Sequence, residues 1–198
     1  MQLVLASGNR KKLEEMSAIL APLDMQVSAQ SAFEVPEAEE TGLTFVENAI
    51  IKARNAAQHT GLPAIADDSG LEVDALNGAP GVFSARFSGA DASDAKNNAL
   101  LVEMLGDLPD APRSARYRAL LVLMRHADDA TPIICQGTWE GEIILEPRGN
   151  NGFGYDPHFL LPALGLTAAE LEAGHKNRIS HRGQAMAALI ARLQDEPL

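Results

Sequence analysis

The sequence predicts an α/β fold, mixed with α+β character, in which helices lie on a largely mixed sheet. Three observations carry this. Short apolar runs alternate with helix-period stretches from Gln2 to Gly70, capping signals mark several helix starts, and Gly, Pro and Asn punctuate the chain between runs.

The elements follow in order. Gln2 to Ala6 reads as a first strand, Ser7-Gly8-Asn9 as a turn, and Leu13, Met16 and Leu20 recur at helical spacing up to Pro22. Met25, Val27 and Ala29 alternate as a second strand, and an acidic loop runs from Glu34 to Glu40. Thr44-Phe45-Val46-Glu47 matches a capping box, so a helix starts there and runs to Gly61. Ala64-Ile65-Ala66 reads as a buried strand that ends on Asp67-Asp68 and is stopped by Gly70.

Leu71 to Leu76 alternates and stops at the Asn77-Gly78 turn. Ser93 or Asp94 caps a helix holding Leu100, Leu101, Met104 and Leu105, closed by Gly106. A proline-punctuated linker leads to Ala119–Met124, whose near-continuous apolar run suits a central strand. Ile133–Thr138 and Glu142–Leu145 read as a strand pair around Gly141. Leu166 to Leu171 carries a capping box and a hydrophobic staple, and a last helix begins after Ser180.

Composition narrows the partners. The 198 residues allow one domain or two small lobes, and 46% hydrophobic with 22% charged residues is ordinary for a globular chain. Sixteen basic against 27 acidic residues give a net charge of −11, which argues against nucleic-acid polymers and anionic membranes as main partners. A small anion meets a local site, and is not excluded. The single cysteine, Cys135, sits in an apolar run and reads as a buried thiol. No apolar run is long enough to span a membrane, and Leu3–Ala6 is too short for a signal-peptide core, so the chain reads as cytoplasmic.

Four segments carry chemistry. Adjacent carboxylates at Asp67-Asp68 fit either a divalent cation with a reacting water or a solvated turn, and the segment alone does not choose. Ser7-Gly8-Asn9-Arg10-Lys11-Lys12 opens a helix, where N–H groups and the dipole suit a phosphate. Lysines in a first turn oppose the dipole, which an anion would offset; a capped helix with solvated lysines is the plainer reading. Glu37, Glu39 and Glu40 could reach a metal at the aspartates, and Asn48 and Lys52 share a helix face.

Downstream, Phe153, flanked by Gly152 and Gly154, offers a face for stacking a base, and Asp156 an acceptor for ring N–H groups. A phenylalanine that only fills the core is the alternative. Lys176-Asn177-Arg178-Ile179-Ser180-His181-Arg182 clusters donors in an acidic chain. H-E-x-x-H, C-x-x-C, Walker and G-x-S-x-G motifs are all absent.

Together these segments resemble the non-canonical purine nucleoside triphosphate pyrophosphatases, also called inosine triphosphate pyrophosphatases. The carrying residues are Ser7-Gly8-Asn9 with Lys12, Glu40-Thr41-Gly42 through Ala49 with Lys52, and Ala66 to Leu71. Gly78-Ala79-Pro80-Gly81 with Ser84-Ala85-Arg86, Gly152 to Pro157, and Ser180-His181-Arg182 complete the set.

The resemblance covers essentially the whole chain. It implies one domain over residues 1–198 with two lobes, an elongated mixed sheet and an active-site cleft between the lobes. It also implies a homodimer, a nucleotide substrate, Mg²⁺ as cofactor, and hydrolysis of ITP, dITP and XTP to monophosphate and pyrophosphate.

Carried over by motif, Ser7, Gly8, Asn9, Arg10, Lys11 and Lys12 bind the triphosphate with help from Lys52, although Arg10 falls at a position that varies. Glu40 and Asp68 hold the metal, Asp68 is the proton acceptor, and Ser69 contacts substrate. Phe153, Gly154, Tyr155, Asp156, Lys176, His181 and Arg182 surround the base. The alternatives are a related pyrophosphatase acting on dTTP or UTP, and a non-catalytic nucleotide sensor. The base-side motifs speak against the first and the retained carboxylates against the second.

Overall fold

The computed structural model describes residues 1–195. Seven strands form one mixed sheet in the order β2-β1-β3-β4-β5-β6-β7, flanked by helices. The chain divides into two units. The first comprises Met1–Asp68, Ala119–Gln136 and the chain from Ala185; the second comprises Ser69–Arg118 and Gly137–Gln184.

In the first unit, β1 (Gln2–Leu5) is flanked in parallel by β2 (Gln26–Ala29) and β3 (Ala64–Val73), with Leu5 opposite Ala29 and Ile65. Strand side chains alternate between faces, and two cores result. Leu3, Leu5, Ile65, Leu121 and Leu123 pack with Met16 and Leu20 of α1 (Arg10–Leu20) and with Met186, Leu189 and Leu193 of α5 (His181–Asp195). Val4, Ala6, Ala64, Ala66, Val122 and Met124 take the opposite face, against Ala49, Ala53, Ala56 and Ala57 of α2 (Phe45–Thr60).

The α2 start is as the sequence predicts. The Thr44 side chain accepts from the Glu47 N–H, and the Glu47 carboxylate reaches back to the Thr44 N–H at 2.9 Å. The Thr44 hydroxyl, and then that bond, hold the Glu47 carboxyl below its ordinary pKa.

In the second unit, Leu71, Val73, Tyr117, Trp139, Ile143, Phe159 and Leu161 pack with Leu101 and Leu105 of α3 (Asp94–Gly106). The strands here are the end of β3, the start of β4 (Ser114–Met124), the end of β5 (Ile133–Ile143), β6 (Phe159–Leu161) and β7 (Leu166–Thr167). β5, β6 and β7 pair antiparallel.

Two expectations are corrected, and two features are added. β3 does not stop at Gly70 but continues to Val73, so Asp67 and Asp68 lie inside a ten-residue strand rather than at its end. β5 is one strand through Gly141, not a pair around it. A Cβ there would lie 2.6 Å from the Phe159 ring and the Leu160 carbonyl, so this glycine admits β6 rather than turning the chain. The capping box at Thr167 forms as read, and it opens a single 3₁₀ turn, Ala168–Glu170. Lys176 sits on an additional short helix, α4 (Ala173–Ile179), which ends at Ser180 just before α5.

Candidate active site

Strand alternation sorts the two aspartates. Asp67 shares the parity of Ile65, and so faces α1; Asp68 shares that of Ala64 and Ala66, and so faces α2. Each accordingly meets a different lysine. Lys12 Nζ of α1 lies 3.4 Å from Asp67 Oδ2, and Lys52 Nζ of α2 lies 2.6 Å from Asp68 Oδ1. The two lysines still converge, because both donate to the Asp67 carbonyl oxygen at 3.3 Å. Both aspartates are buried.

Glu40 joins this group, with Oε1 3.1 Å from Lys52 Nζ. Its loop is fastened to α2, since the Gly42 N–H donates to Asn48 Oδ1 at 2.8 Å. Thus Asn48 and Lys52, one helical turn apart, hold the loop and its carboxylate respectively. Burial works against the Lys52 ammonium, but Asp68 and then Glu40 outweigh it and hold its pKa above the ordinary value. Burial likewise pushes the Asp68 carboxyl up, and Lys52 only partly reverses this. Asp68 is therefore a better proton acceptor than a free aspartate.

At the start of α1, the Asn9 side chain accepts from the Lys11 and Lys12 N–H groups at 3.0 and 3.2 Å, and Ser7 Oγ accepts from the Asn9 N–H at 3.1 Å. Two helix-terminal donors are thus satisfied internally. Gly8 has room for a side chain, with its nearest neighbour Glu37 in ordinary contact. Arg10 forms an exposed pair with Glu14, and Lys11 is exposed. Lys12 of the basic run is brought to the aspartates.

The second unit holds a separate group, from Ser69 onward. Ser69 is half-buried directly after Asp68 in β3. Phe153 is 41% exposed, with Lys176 Nζ 5.0 Å and Arg182 Cζ 5.8 Å from its ring centroid. Asp156 is buried and already engaged: Oδ2 accepts from the Phe153 N–H at 2.9 Å and from Lys176, and Oδ1 from the Tyr117 hydroxyl at 3.3 Å. A Cβ on Gly152 would collide with this carboxylate, and Gly152 has φ +77°, so glycine is required.

Gly154 donates to Asp94 at 2.7 Å and accepts from Asn98 at 2.9 Å, while buried Tyr155 donates to the Ser84 carbonyl at 2.7 Å. Asp94, Asn98 and Ser84 thus brace the loop that presents Phe153. His181 is buried, and its ring is stacked on Tyr117 at 4.7 Å.

The sequence reading missed Tyr117 because it began the strand at Ala119. The alternation of Ala115, Tyr117 and Ala119 with Ser114, Arg116 and Arg118 is the signal that would have found it. Among the described residues, no group of three or more His, Cys, Asp or Glu converges as a metal site. No helix among them is long and apolar enough to cross a membrane.

The model of the Ham1 family matches residues 3–192. The chain belongs to the Ham1 family. Among curated relatives, a dITP/XTP pyrophosphatase of Aromatoleum aromaticum is 60% identical over 197 residues, covering 100% of this chain and 98% of the relative. One of Vibrio cholerae serotype O1 is 56% identical over 195 residues, covering 98% of each. A solved HAM1 protein from Coxiella burnetii superposes with a TM-score of 0.95 at 53% identity, over 98% of this chain and 99% of that one. The Staphylococcus aureus Ham1 protein gives 0.90 at 41% identity, over 99% and 100%. The Ham1 match thus spans both residue groups.

Proposed function

We propose that the protein hydrolyses non-canonical purine nucleoside triphosphates (ITP, dITP and XTP) to the monophosphate and pyrophosphate, with Mg²⁺, and so clears the cytoplasmic nucleotide pool. The carrying observation is the convergence of Glu40 and Asp68 on Lys52, in a chain whose full-length relatives are named dITP/XTP pyrophosphatase.

Two carboxylates are too few to cage a metal, but they suit Mg²⁺, which takes one or two carboxylates and completes its octahedron with phosphates and water. Glu40 and Asp68 would hold it. When bound, the ion neutralises phosphate oxygens and acidifies water. Asp68, raised by burial, accepts the proton of a water directed at the α-phosphorus. Lys12, Lys52 and the α1 N-terminus then stabilise charge on departing pyrophosphate, assisted by the Ser7–Lys12 run. Ser69, next to Asp68, contacts the substrate.

On the base side, Phe153 stacks the purine, and Lys176, His181 and Arg182 face its polar edge. Gly154, Tyr155 and Asp156 act there by shaping and holding the loop. A 6-keto oxygen accepts from His181 or Arg182, where adenine presents a donor. An unpaired buried donor costs about 1–3 kcal/mol, or roughly tenfold to a hundredfold in affinity.

Incubation with ITP, dTTP or ATP plus Mg²⁺ tests this. Pyrophosphate released from ITP in preference to the others is expected; release of phosphate, or binding without turnover, would overturn it. The resemblance extends to a single two-lobed domain and a homodimer, the latter checked by sedimentation equilibrium.

A further inference from the structure

Tyr117 has no role in the proposed chemistry, yet it touches two segments that carry it. We propose that Tyr117 is the positioning residue for base recognition, fixing His181 through ring stacking and Asp156 through its hydroxyl. This rests on the reading that Phe153, Lys176 and His181 meet the purine.

The Tyr117 and His181 rings lie 4.7 Å apart and within 11° of parallel, a stacked arrangement that defines the plane of the imidazole. Phe159 packs on Tyr117 at 4.6 Å, and Trp139 lies 6.4 Å from Tyr117 and 6.3 Å from His181. An aromatic cluster of this kind leaves His181 little rotational freedom. At the other end of the ring, the hydroxyl donates to Asp156 Oδ1 at 3.3 Å. Burial, and then the Asp156 charge, push the phenol well above its ordinary pKa, so it stays protonated and donates.

The other Asp156 oxygen holds the Phe153 N–H and Lys176, so one side chain on β4 serves both the Phe153 loop and the start of α5. The strand itself is pinned on its opposite face. Arg116 pairs with Asp74 and Glu140, and Arg118 with Glu72. A recognition site is only as exact as the groups behind it, and Tyr117 stands behind two of them.

Two substitutions separate positioning from mere packing. Tyr117→Leu removes ring and hydroxyl, and is expected to lower the ITP-over-ATP ratio of kcat/KM by about tenfold, chiefly through KM for ITP. Tyr117→Phe restores the ring, and with it most of the ratio, leaving a rise of about two- to fivefold in KM. Without any substrate, the His181 ring protons should lose their ring-current shift in Tyr117→Leu and keep it in Tyr117→Phe. His181→Gln assigns that signal among the five histidines.

A lowered melting temperature with ratio and His181 signal unmoved would overturn the proposal. Should Tyr117→Leu not fold, the KM of Tyr117→Phe decides, and an unchanged value overturns the hydroxyl's part. Arg182→Ala distinguishes the two levels. If it collapses the ratio while Tyr117→Leu does not, the Tyr117 role fails alone. If it too leaves the ratio intact, the base-site reading fails, and the His181 signal still judges the positioning.

Discussion

The two residue groups differ in how far charge or ring packing holds them. In the first unit, Lys12, Lys52, Glu40, Asp67 and Asp68 are held by one another's charges. In the second, His181 is held by stacked rings and the Phe153 loop by its N–H bond to buried Asp156, which Tyr117 and an ion pair with Lys176 hold in turn. Under the proposed function, paired charges could exchange partners on binding a phosphate and a cation, because each ion would have a ready substitute. Stacked rings cannot, since stacking fixes a plane. Under the proposed function, the residues assigned to the triphosphate are thus mutually paired, and those assigned to the base are held by rings.

Different substitutions should therefore fail differently. The largest effect is expected for Asp68→Asn, which removes the proposed proton acceptor and should lower kcat by about 10²–10⁴ for every triphosphate alike. The protein should stay folded by circular dichroism, and near wild-type turnover of ITP would sink the assignment. Next comes Arg182→Ala, expected to weaken ITP about tenfold more than ATP, read from kcat/KM for the two nucleotides. An equal loss for both would make Arg182 a general phosphate or structural contact and blur the division between the groups.

Stability offers a finer comparison, because each unit carries one aspartate held at a pKa of about 2. In the first unit, burial pushes Asp129 up, but hydrogen bonds from the Arg125 side chain and backbone and from Thr131 outweigh it. In the second, Asp74 is lowered by Arg116 and then Ser114. Both folded-state values lie below the unfolded one, so both contribute stability that is complete above about pH 4 and lost as pH falls towards 2.

Asp129 is buried and Asp74 is not. Asp129→Asn should cost about 1–3 kcal/mol in urea melts at pH 6, and should flatten the acid decline. Asp74→Asn, at an exposed pair, should cost about 1 kcal/mol or less. Equal costs would mean that burial does not separate the two pairs.

Much of the fold was legible because its signals are local. The Thr44 capping box and the Gly61 stop each act within a turn of helix, and they stand where the sequence puts them. The Asp67-Asp68-Ser69-Gly70 run misled because Asp, Ser and Gly are turn residues by propensity. Here the neighbouring strands override propensity, and β3 runs straight through. Gly141 misled likewise, since a glycine admitting a close neighbour looks like a glycine making a turn. The sequence singled out Asp156 as an acceptor, but not that its Oδ2 would accept from the loop's own N–H and from Lys176.

The sequence by itself determined the residue types: a lysine–carboxylate set upstream, an aromatic and donor set downstream, and the helices that begin beside them. Periodicity and motif order are one-dimensional properties, and they survive without coordinates. Tertiary structure alone decided which groups meet. It sent Asp67 to Lys12 and Asp68 to Lys52, because successive side chains of an unbroken strand must face opposite ways. It also placed Tyr117 against His181, a pairing 64 residues apart in sequence (181 − 117) that no local pattern announces.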